Sequence, residues 1–226
     1  MDTNLKNFSS LLRSKKELMG CIFLTLLFQL IVSIITMKYD QEKNIVGNLF
    51  PTSPLLTGLG MFIIPIILLI SIKYSKSFLT KQILFGLFSI ILGLIMSQAI
   101  HFINDPKIVE SAAYATLINF ALMFAMGLII VYFGHDLTWL GGILFIGLLI
   151  LITVQFVGFF TEQSNQYYKN ISYISVAIFS LYILYDTNRI LLKYQNKSKS
   201  DCINGAMEYY LDIINLFTNY LNIDSN

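Results

Sequence analysis

Three carboxylates stand in strongly apolar surroundings, where an acid is unusual. Glu208 and Asp212 lie four residues apart in "EYYLDIINLF" (208–217), and Asp186 lies in an earlier apolar stretch, while the other ten of the 13 acids lie in polar segments or at the edges of apolar ones. An ionised aspartate at the centre of a membrane helix costs about 2.5–3.5 kcal/mol on insertion scales. If these stretches cross a membrane, the three acids are expected to face protein or water and to have partners.

The chemistry open to Asp186 and Asp212 is proton sharing and weak cation binding. Two carboxylates within hydrogen-bond distance in a poorly hydrated site cannot easily both be charged, so they share one proton and titrate as a pair. Once the proton leaves, the same oxygens are hard ligands suited to Ca²⁺. Two or three carboxylates with water form a weak, transient calcium site, as a permeation path requires. The pair can therefore act as a proton-operated latch.

These acids are part of a chain whose composition is that of an integral membrane protein. Of 226 residues, 56% are hydrophobic and 12% are charged, with a mean hydropathy of +0.69, whereas soluble domains have roughly 25% charged residues. A helix that crosses the bilayer needs roughly 20 residues. Because backbone groups in lipid must be hydrogen-bonded within the segment, each apolar stretch of that length is predicted to be a helix. Seven stretches qualify: 19–37, 55–72, 83–103, 111–133, 138–160, 170–193 and 203–223.

The seventh stretch, 203–223, is the most polar of the set, and the sequence leaves open whether it crosses fully or enters the membrane and returns. We therefore predict an all-α integral membrane protein with seven transmembrane helices in a single domain over 19–223. Residues 1–18 are expected to form a cytoplasmic tail without an evident fold, and residues 224–226 a short carboxy-terminal tail.

The distribution of lysine and arginine predicts a cytoplasmic amino terminus. With seven crossings, eleven of the 15 basic residues fall on the side of the amino terminus and four on the opposite side, and cytoplasmic segments carry the excess of positive charge. A composition rich in lysine, asparagine and isoleucine is typical of an AT-rich genome. A bacterial inner membrane is therefore the first expectation for location, and a eukaryotic endomembrane is the second.

Several classes of protein have no support in the sequence. Cys21 and Cys202 lack zinc or redox spacing and are expected to be a buried small residue and a surface thiol. No basic run with interleaved aromatic residues indicates nucleic-acid binding. Neither GxSxG nor HExxH occurs, and no catalytic residue is assigned. We expect no enzymatic activity and no resident cofactor; the expected partners are the lipid bilayer, protons, calcium and another membrane protein.

A structural role for the same acids is an alternative at this point. Arg189 follows Asp186 by three residues and can neutralise it on the same helix face. Glu208 can extend towards the inner membrane surface, and Asn215 can satisfy remaining carboxylate oxygens. The residues alone leave ion or proton handling and structural polar packing equally open.

The paired motifs of the last two stretches resemble a known family. "LYDTNRIL" (184–191) followed by "EYYLDIINLF" (208–217) is similar to the Bax inhibitor-1 family, also called the transmembrane BAX-inhibitor-motif or YccA-like family, as is "DLTWLGG" (136–142). The resemblance covers nearly the whole chain and implies seven helices with the last one central. It places Asp186 and Asp212 on the family's di-aspartyl pair, proposed as a pH sensor for a Ca²⁺ leak.

Two departures from the family concern its second and third helices. The polar, glycine-rich third helix of the family is "GLIMSQAIHFI" (93–103) here, with Gln98 and His101 as candidate pore-lining residues at altered positions. In some members a basic residue on the second helix holds one aspartate. The second span of this chain has no lysine, arginine or histidine, so Arg189 or Lys73 would have to replace that residue.

A third departure is Glu208, which adds an acid where relatives tend to carry a neutral residue; we expect it to guard the cytoplasmic approach, with Arg189 as a second accessory residue and Asn215 as a pore-lining candidate. The function implied is a pH-sensitive calcium leak channel gated by the proton-sharing pair Asp186 and Asp212, whose oxygens also form the transient calcium site. The alternative is a non-transporting regulator that binds a membrane protease or a stress or cell-death factor, with the amino-terminal tail as a natural contact.

Overall fold

The computed structural model describes residues 2–49, 54–101, 103, 105–159, 161, 164–195 and 198–225. Within these residues the chain forms eight helices and no strand. The helices are α1 (Asp2–Lys43), α2 (Ile45–Leu49), α3 (Pro54–Tyr74), α4 (Phe78–His101), α5 (Pro106–Tyr132), α6 (Leu140–Phe159), α7 (Asn165–Lys193) and α8 (Lys199–Ser225).

The ends of α5 show how local sequence sets the helix boundaries. Asp105 caps its amino terminus, because its carboxylate accepts a hydrogen bond from the Lys107 amide at 2.9 Å, and Pro106 occupies the first helical position. Proline suits that position because its missing N–H would have no helical partner. At the other end Gly134 adopts φ +78°, a left-handed conformation that commonly ends a helix and that glycine adopts without steric cost.

Five helices among the described residues are long and apolar enough to cross a membrane: α1 within Leu5–Lys43, α4, α5, α6 within Leu140–Gly158, and α7. The described part of α3 adds a shorter apolar segment, Ile63–Tyr74. The protein is therefore all-α and integral to a membrane. The predicted spans 55–72 and 203–223 fall on α3 and α8, outside that set of five, so the count of seven crossings stays a prediction.

Helix contacts divide the chain into two compact units. The first unit contains α1 up to Glu17, all of α5, α6 and α7, and α8 from Leu211 onward. The second contains α1 from Leu18, α2, α3, α4, and α8 up to Tyr210. In the first unit α5 and α6 both pack against α7, and in the second α3 packs against α4.

The amino-terminal segment is helical, contrary to the expectation of a tail without an evident fold. α1 begins at Asp2 and continues into the first apolar span without interruption. Within the first unit Phe8 makes an edge-to-face contact with Tyr132, with ring centroids 5.5 Å apart, and the Lys15 ammonium donates to the Tyr194 carbonyl. Residues 224 and 225 of the predicted carboxy-terminal tail belong to α8; residues 1 and 226 lie outside the described part of the chain.

The cysteines are paired, so the expectation of two separate cysteines was wrong. Cys21 of α1 and Cys202 of α8 form a disulfide within the second unit, with their Cα atoms 5.8 Å apart. Cys202 is also buried, with 2% of its surface exposed, rather than a surface thiol. The pairing depends on which helices are neighbours, and cysteine spacing along the chain carries no information about that.

Burial separates helices that face lipid from helices that face protein. On α6, large apolar side chains such as Ile143, Phe145 and Ile146 are more than half exposed. On α8, none of the residues from Asp201 to Leu221, all of which the structure describes, is exposed. The most polar of the predicted spans is thus the one that the protein shields best, as the cost of polar groups in lipid requires.

Candidate functional site

Asp186 lies on the part of α7 that the protein surrounds most completely. Between Ile183 and Leu191 every residue except Arg189 is buried, and Asp186 itself is 4% exposed. A helix exposed to lipid on one side could not bury residues on its whole circumference. The carboxylate of Asp186 is therefore enclosed by protein and is not directed at lipid.

Arg189 lies one turn after Asp186, and aromatic residues hold its side chain. Its Nη2 is 3.8 Å from Asp186 Oδ1 and donates a hydrogen bond to the Tyr194 hydroxyl at 2.9 Å. The guanidinium carbon lies 5.3 Å from the ring centroid of Tyr185 and 5.5 Å from that of Tyr194, within cation–π range. The positive charge next to Asp186 is thus supplied by the same helix, as the sequence allowed.

Asp212 lies on α8 in the same unit and is 3% exposed. The charges of Asp186 and Asp212 both act on the hydroxyl group of Tyr182, a residue on α7 one turn before Asp186. The fold therefore brings the two acids, 26 residues apart in the sequence, into the electrostatic surroundings of one hydroxyl group. Sequence analysis did not identify Tyr182, although its spacing of four residues from Asp186 placed it on the same helix face.

Gly141 shapes the environment of Tyr185. A Cβ atom at this position would lie 2.5 Å from the Tyr185 hydroxyl oxygen and 2.7 Å from the ring carbon that bears it. Only glycine leaves room for the ring where α6 begins. The first glycine of "LGG" therefore has a direct steric role beside Tyr185, the residue next to Asp186.

Asn188, next to Arg189 in the "LYDTNRIL" motif, attaches the connector between α5 and α6 to α7. Its side-chain nitrogen donates to the His135 carbonyl at 2.8 Å, and its side-chain oxygen accepts from the Leu137 amide at 3.0 Å. The amide is 1% exposed, and both its donor and acceptor functions are used. Sequence reasoning missed this residue, although a buried amide within a motif was a signal that could have identified it.

An ion pair joins the same connector to the end of α7. Lys193 Nζ lies 3.0 Å from Asp136 Oδ2. The pKa of Asp136 is lowered to about 2, chiefly because the Thr138 hydroxyl and amide donate hydrogen bonds to its carboxylate, with Lys193 as a further cause. The Asp136 and Lys193 side chains are 44% and 52% exposed, so this pair orients the connector without burying charge.

A second group of polar side chains in the first unit joins three helices nearer the start of α7. The Asn119 side-chain nitrogen of α5 donates to the Ser180 hydroxyl of α7 and to the Tyr220 hydroxyl of α8, each at 2.9 Å. Asn215, predicted to line a pore, donates to the Leu211 carbonyl of its own helix at 2.8 Å. Its side-chain nitrogen is thus bonded within α8.

The remaining candidate residues, Gln98, His101 and Glu208, belong to the second unit. Gln98 donates to the Asp40 carboxylate at 2.9 Å, and the Val46 amide donates to the other oxygen of the same carboxylate at 3.0 Å. Asp40 is 1% exposed, a burial that its place at the edge of a span did not reveal. His101 is exposed at the end of α4, and Glu208 is half-buried on α8.

In the part of the chain that the structure describes, carboxylates do not form a large cluster. No group of three or more histidine, cysteine, aspartate and glutamate side chains there could hold a metal ion. Ca²⁺ takes 6–8 oxygen ligands, more than the carboxylate oxygens of Asp186 and Asp212 alone provide.

The comparison with protein families settles the relationship of the chain. The profile of the family described as "Inhibitor of apoptosis-promoting Bax1" matches residues 15–224. The chain belongs to this Bax inhibitor family. The resemblance found in the motifs is thereby confirmed, and every candidate site residue lies within the matched region.

Relatives of this Bax inhibitor family protein occur in plants, yeast and bacteria. "Protein LIFEGUARD 4" of Arabidopsis thaliana is 25% identical over 212 residues, which cover 89% of this chain and 81% of the relative. "Bax inhibitor 1" of Schizosaccharomyces pombe is 30% identical over 165 residues, 73% of this chain and 59% of the relative. An uncharacterized membrane protein of Vibrio cholerae is 33% identical over 88 residues, 39% of this chain and 37% of the relative.

Proposed function

We propose that this Bax inhibitor family protein is a pH-sensitive calcium leak channel in which Asp186 and Asp212 share one proton. The observation that carries the proposal is the burial of both carboxylates, 4% and 3% exposed, in one unit of the fold. The shared proton holds the path closed. After its loss the two charged carboxylates repel each other and bind Ca²⁺ only weakly as it passes. Calcium is the transported ion, and the proposal includes no catalytic reaction and no resident cofactor.

In this proposal Arg189 orients Asp186. The guanidinium is planar and always charged, and it is held by the Tyr194 hydroxyl and by the ring of Tyr185. In the structure the guanidinium lies 3.8 Å from Asp186 Oδ1, and in this proposal it stays beside that carboxylate when the proton is gone. Arg189 takes the place of the basic residue that the second span lacks.

Glu208 is proposed to attract cations at the cytoplasmic approach to the pair. It precedes Asp212 by four residues on α8, which corresponds to about 6 Å along a helix axis. Its half-buried position is compatible with a side chain that reaches water on one side. Asn215, Gln98 and His101 remain predictions as pore-lining residues.

We further propose that α3 and α8 also cross the membrane, which gives seven spans with a cytoplasmic amino terminus. In the first unit, the Lys15–Tyr194 hydrogen bond supports a common side for the start of α1 and the end of α7. In the second unit, Lys81 at the start of α4 donates to Ser200 and Asn204 at the start of α8, at 2.8 and 3.0 Å. The distribution of lysine and arginine, taken for each unit by itself, predicts that each of these sides is cytoplasmic. The proposed location is a bacterial inner membrane, with an endomembrane as the alternative.

The test is calcium flux into liposomes that hold a Ca²⁺-sensitive dye, measured after steps of external pH. We expect flux to rise with pH in the wild type, and we expect Asp186→Asn and Asp212→Asn to lose that pH response. Asp224→Asn is the matched control, because Asp224 is an exposed acid on α8. A pH response that survives in both variants, with all proteins shown to be folded by circular dichroism, would overturn the proposal.

A second candidate function is that of a non-transporting regulator that binds another membrane protein. It is favoured by the family description, which names an inhibitor of a second protein. A membrane protease or a stress or cell-death factor would be such a partner. This function predicts no calcium flux, together with co-purification of a partner that persists in Asp186→Asn and Asp212→Asn. Loss of the partner in both variants would contradict it.

A further inference from the structure

The disulfide between Cys21 and Cys202 has no role in the proposed proton latch. These are the only two cysteines in the 226-residue sequence, and they are 181 residues apart. The bond joins α1 to the first turns of α8 within the second unit. Cys202 is 2% exposed, and its sulfur lies 3.8 Å from the Thr25 hydroxyl. The sulfur atoms are thus set between two packed helices and are not at the tips of loops.

The amino-terminal end of α8 has noncovalent attachments at the same place. Lys81 of α4 is 4% exposed and donates to Ser200 and Asn204 of α8. The Lys199 ammonium lies over the ring of Phe78, 5.4 Å from its centroid. The start of α8 is therefore attached to α4 by hydrogen bonds and to α1 by a covalent bond, which is the only one of these attachments that a change of redox conditions can remove.

Whether this disulfide is permanent or reversible depends on the side of the membrane on which it lies. The proposed orientation places the start of α1, the start of α4 and the start of α8 on the cytoplasmic side. Cytosolic glutathione and thioredoxin keep thiols reduced, so a cytosolic disulfide is usually transient, catalytic or redox-sensing, whereas structural disulfides occur in oxidising compartments. The location therefore favours a bond that forms and breaks during the life of the protein.

We propose that Cys21 and Cys202 form a reversible redox modification site that fixes the amino-terminal end of α8 to α1. The inference rests on the proposed orientation and not on calcium transport. In reduction, two glutathione thiols supply two electrons and two protons; the S–S bond breaks, two cysteine thiols form, and glutathione disulfide is the oxidised product. In oxidation, glutathione disulfide takes the two electrons and two protons of the cysteine thiols and becomes two glutathione thiols, and the bond between Cys21 and Cys202 forms again.

The consequence of the bond is a restraint on the helix that carries Asp212. α8 runs without interruption from Lys199 to Ser225, and Asp212 follows Cys202 by ten residues, about 15 Å along the axis. With the bond formed, the first turns of α8 cannot separate from α1. With the bond broken, noncovalent contacts alone hold the start of α8, among them the hydrogen bonds of Lys81 and the contact of Lys199 with Phe78.

The redox state can be counted directly in cells. Cells that express the full chain are quenched with acid, denatured, and labelled with a maleimide carrying a polymer that shifts the protein on a gel. We expect two adducts in resting cells, none after brief treatment with the thiol oxidant diamide, and two again after dithiothreitol. No adduct in resting cells, which marks a permanent bond, or two adducts after diamide, which marks no bond, would each overturn the proposal.

The restraint on α8 is measured by hydrogen–deuterium exchange of the purified protein. Oxidised protein should exchange the amides of residues 199–210 at least several-fold more slowly than reduced protein, since helix opening there requires separation from α1. Cys202→Ser is the control, because its exchange should not respond to oxidant. Equal exchange in oxidised and reduced wild-type protein would refute the restraint. Neither experiment measures calcium flux, so either can fail or succeed independently of the proposed channel.

Discussion

The substitution Gly141→Ala tests whether the packing around Asp186 is as tight as the structure shows. The new methyl group would lie 2.5, 2.7 and 3.0 Å from the hydroxyl oxygen and two ring carbons of Tyr185. These distances are shorter than van der Waals contact, so the ring of Tyr185 has to move, and it carries the Arg189 guanidinium on its face. Gly142→Ala is a matched control on the next residue, where a Cβ would meet nothing within 4 Å.

The expected effect follows from the cost of overpacking, about 1–3 kcal/mol for an extra methyl group in a packed interior. The gain in helix propensity from replacing glycine by alanine applies to both variants and cancels in the comparison. For a chain of this size 1 kcal/mol shifts the melting temperature by about 2–4 °C. Gly141→Ala should therefore melt about 2–12 °C below Gly142→Ala.

The assay is thermal unfolding of both purified variants in the same detergent, followed by the helical circular dichroism signal. A second readout is the pH response of calcium flux, which Gly141→Ala should alter through Tyr185 and Arg189, and which Gly142→Ala should leave as in the wild type. Equal melting temperatures for the two variants would refute the close contact between Gly141 and Tyr185.

Three further predictions address the connector between α5 and α6 and the packing of the second unit. Asn188→Leu leaves the connector's amide and carbonyl without their partners and should lower the free energy of unfolding by about 1–3 kcal/mol, with faster deuterium exchange in the connector; unchanged exchange would contradict the attachment. Because the Thr138 hydrogen bonds lower the pKa of Asp136 from 3.8 to about 2, its contribution is complete at neutral pH and is lost as the pH falls from 3.8 towards about 2. Asp136→Asn should therefore flatten the dependence of melting temperature on pH in that window. The same dependence in wild type and variant would contradict this prediction. Gly93→Ala places a Cβ 2.6 Å from an α1 carbonyl oxygen, whereas Gly86→Ala on the same helix meets nothing within 4 Å; only the first should lower the melting temperature, and equal values would show that α1 and α4 do not pack this closely.

Hydropathy was sufficient to predict the apolar helices, because lipid forces apolar stretches of sufficient length to be helical. The predicted span 111–133 lies almost entirely within α5, and the predicted span 138–160 matches α6 to within two residues at each end. The helicity of residues 2–17 was not visible in the same way. That segment is polar, and a hydropathy pattern predicts helices only where an apolar stretch must satisfy its backbone groups in lipid.

The sequence pattern did not predict which helices contact one another. The disulfide between Cys21 and Cys202 and the burial of Asp40 against Gln98 depend on which helices are neighbours and at what height their side chains meet. The acids of α7 and α8 were different, because the cost of an acid in an apolar stretch identifies them whatever the packing. Asp186 and Asp212 could accordingly be singled out from the sequence, where their role stays a prediction, whereas Tyr182, one turn before Asp186, was not singled out.

The most direct test of the central claim is infrared detection of the carbonyl band of a protonated carboxyl group at neutral pH. If Asp186 and Asp212 share a proton, the wild type should show this band, and the band should disappear both in Asp186→Asn and in Asp212→Asn, because either change removes the partner that retains the proton. It should persist in Asp224→Asn. A wild type without the band at neutral pH, or a band that only one of the two substitutions removes, would contradict proton sharing.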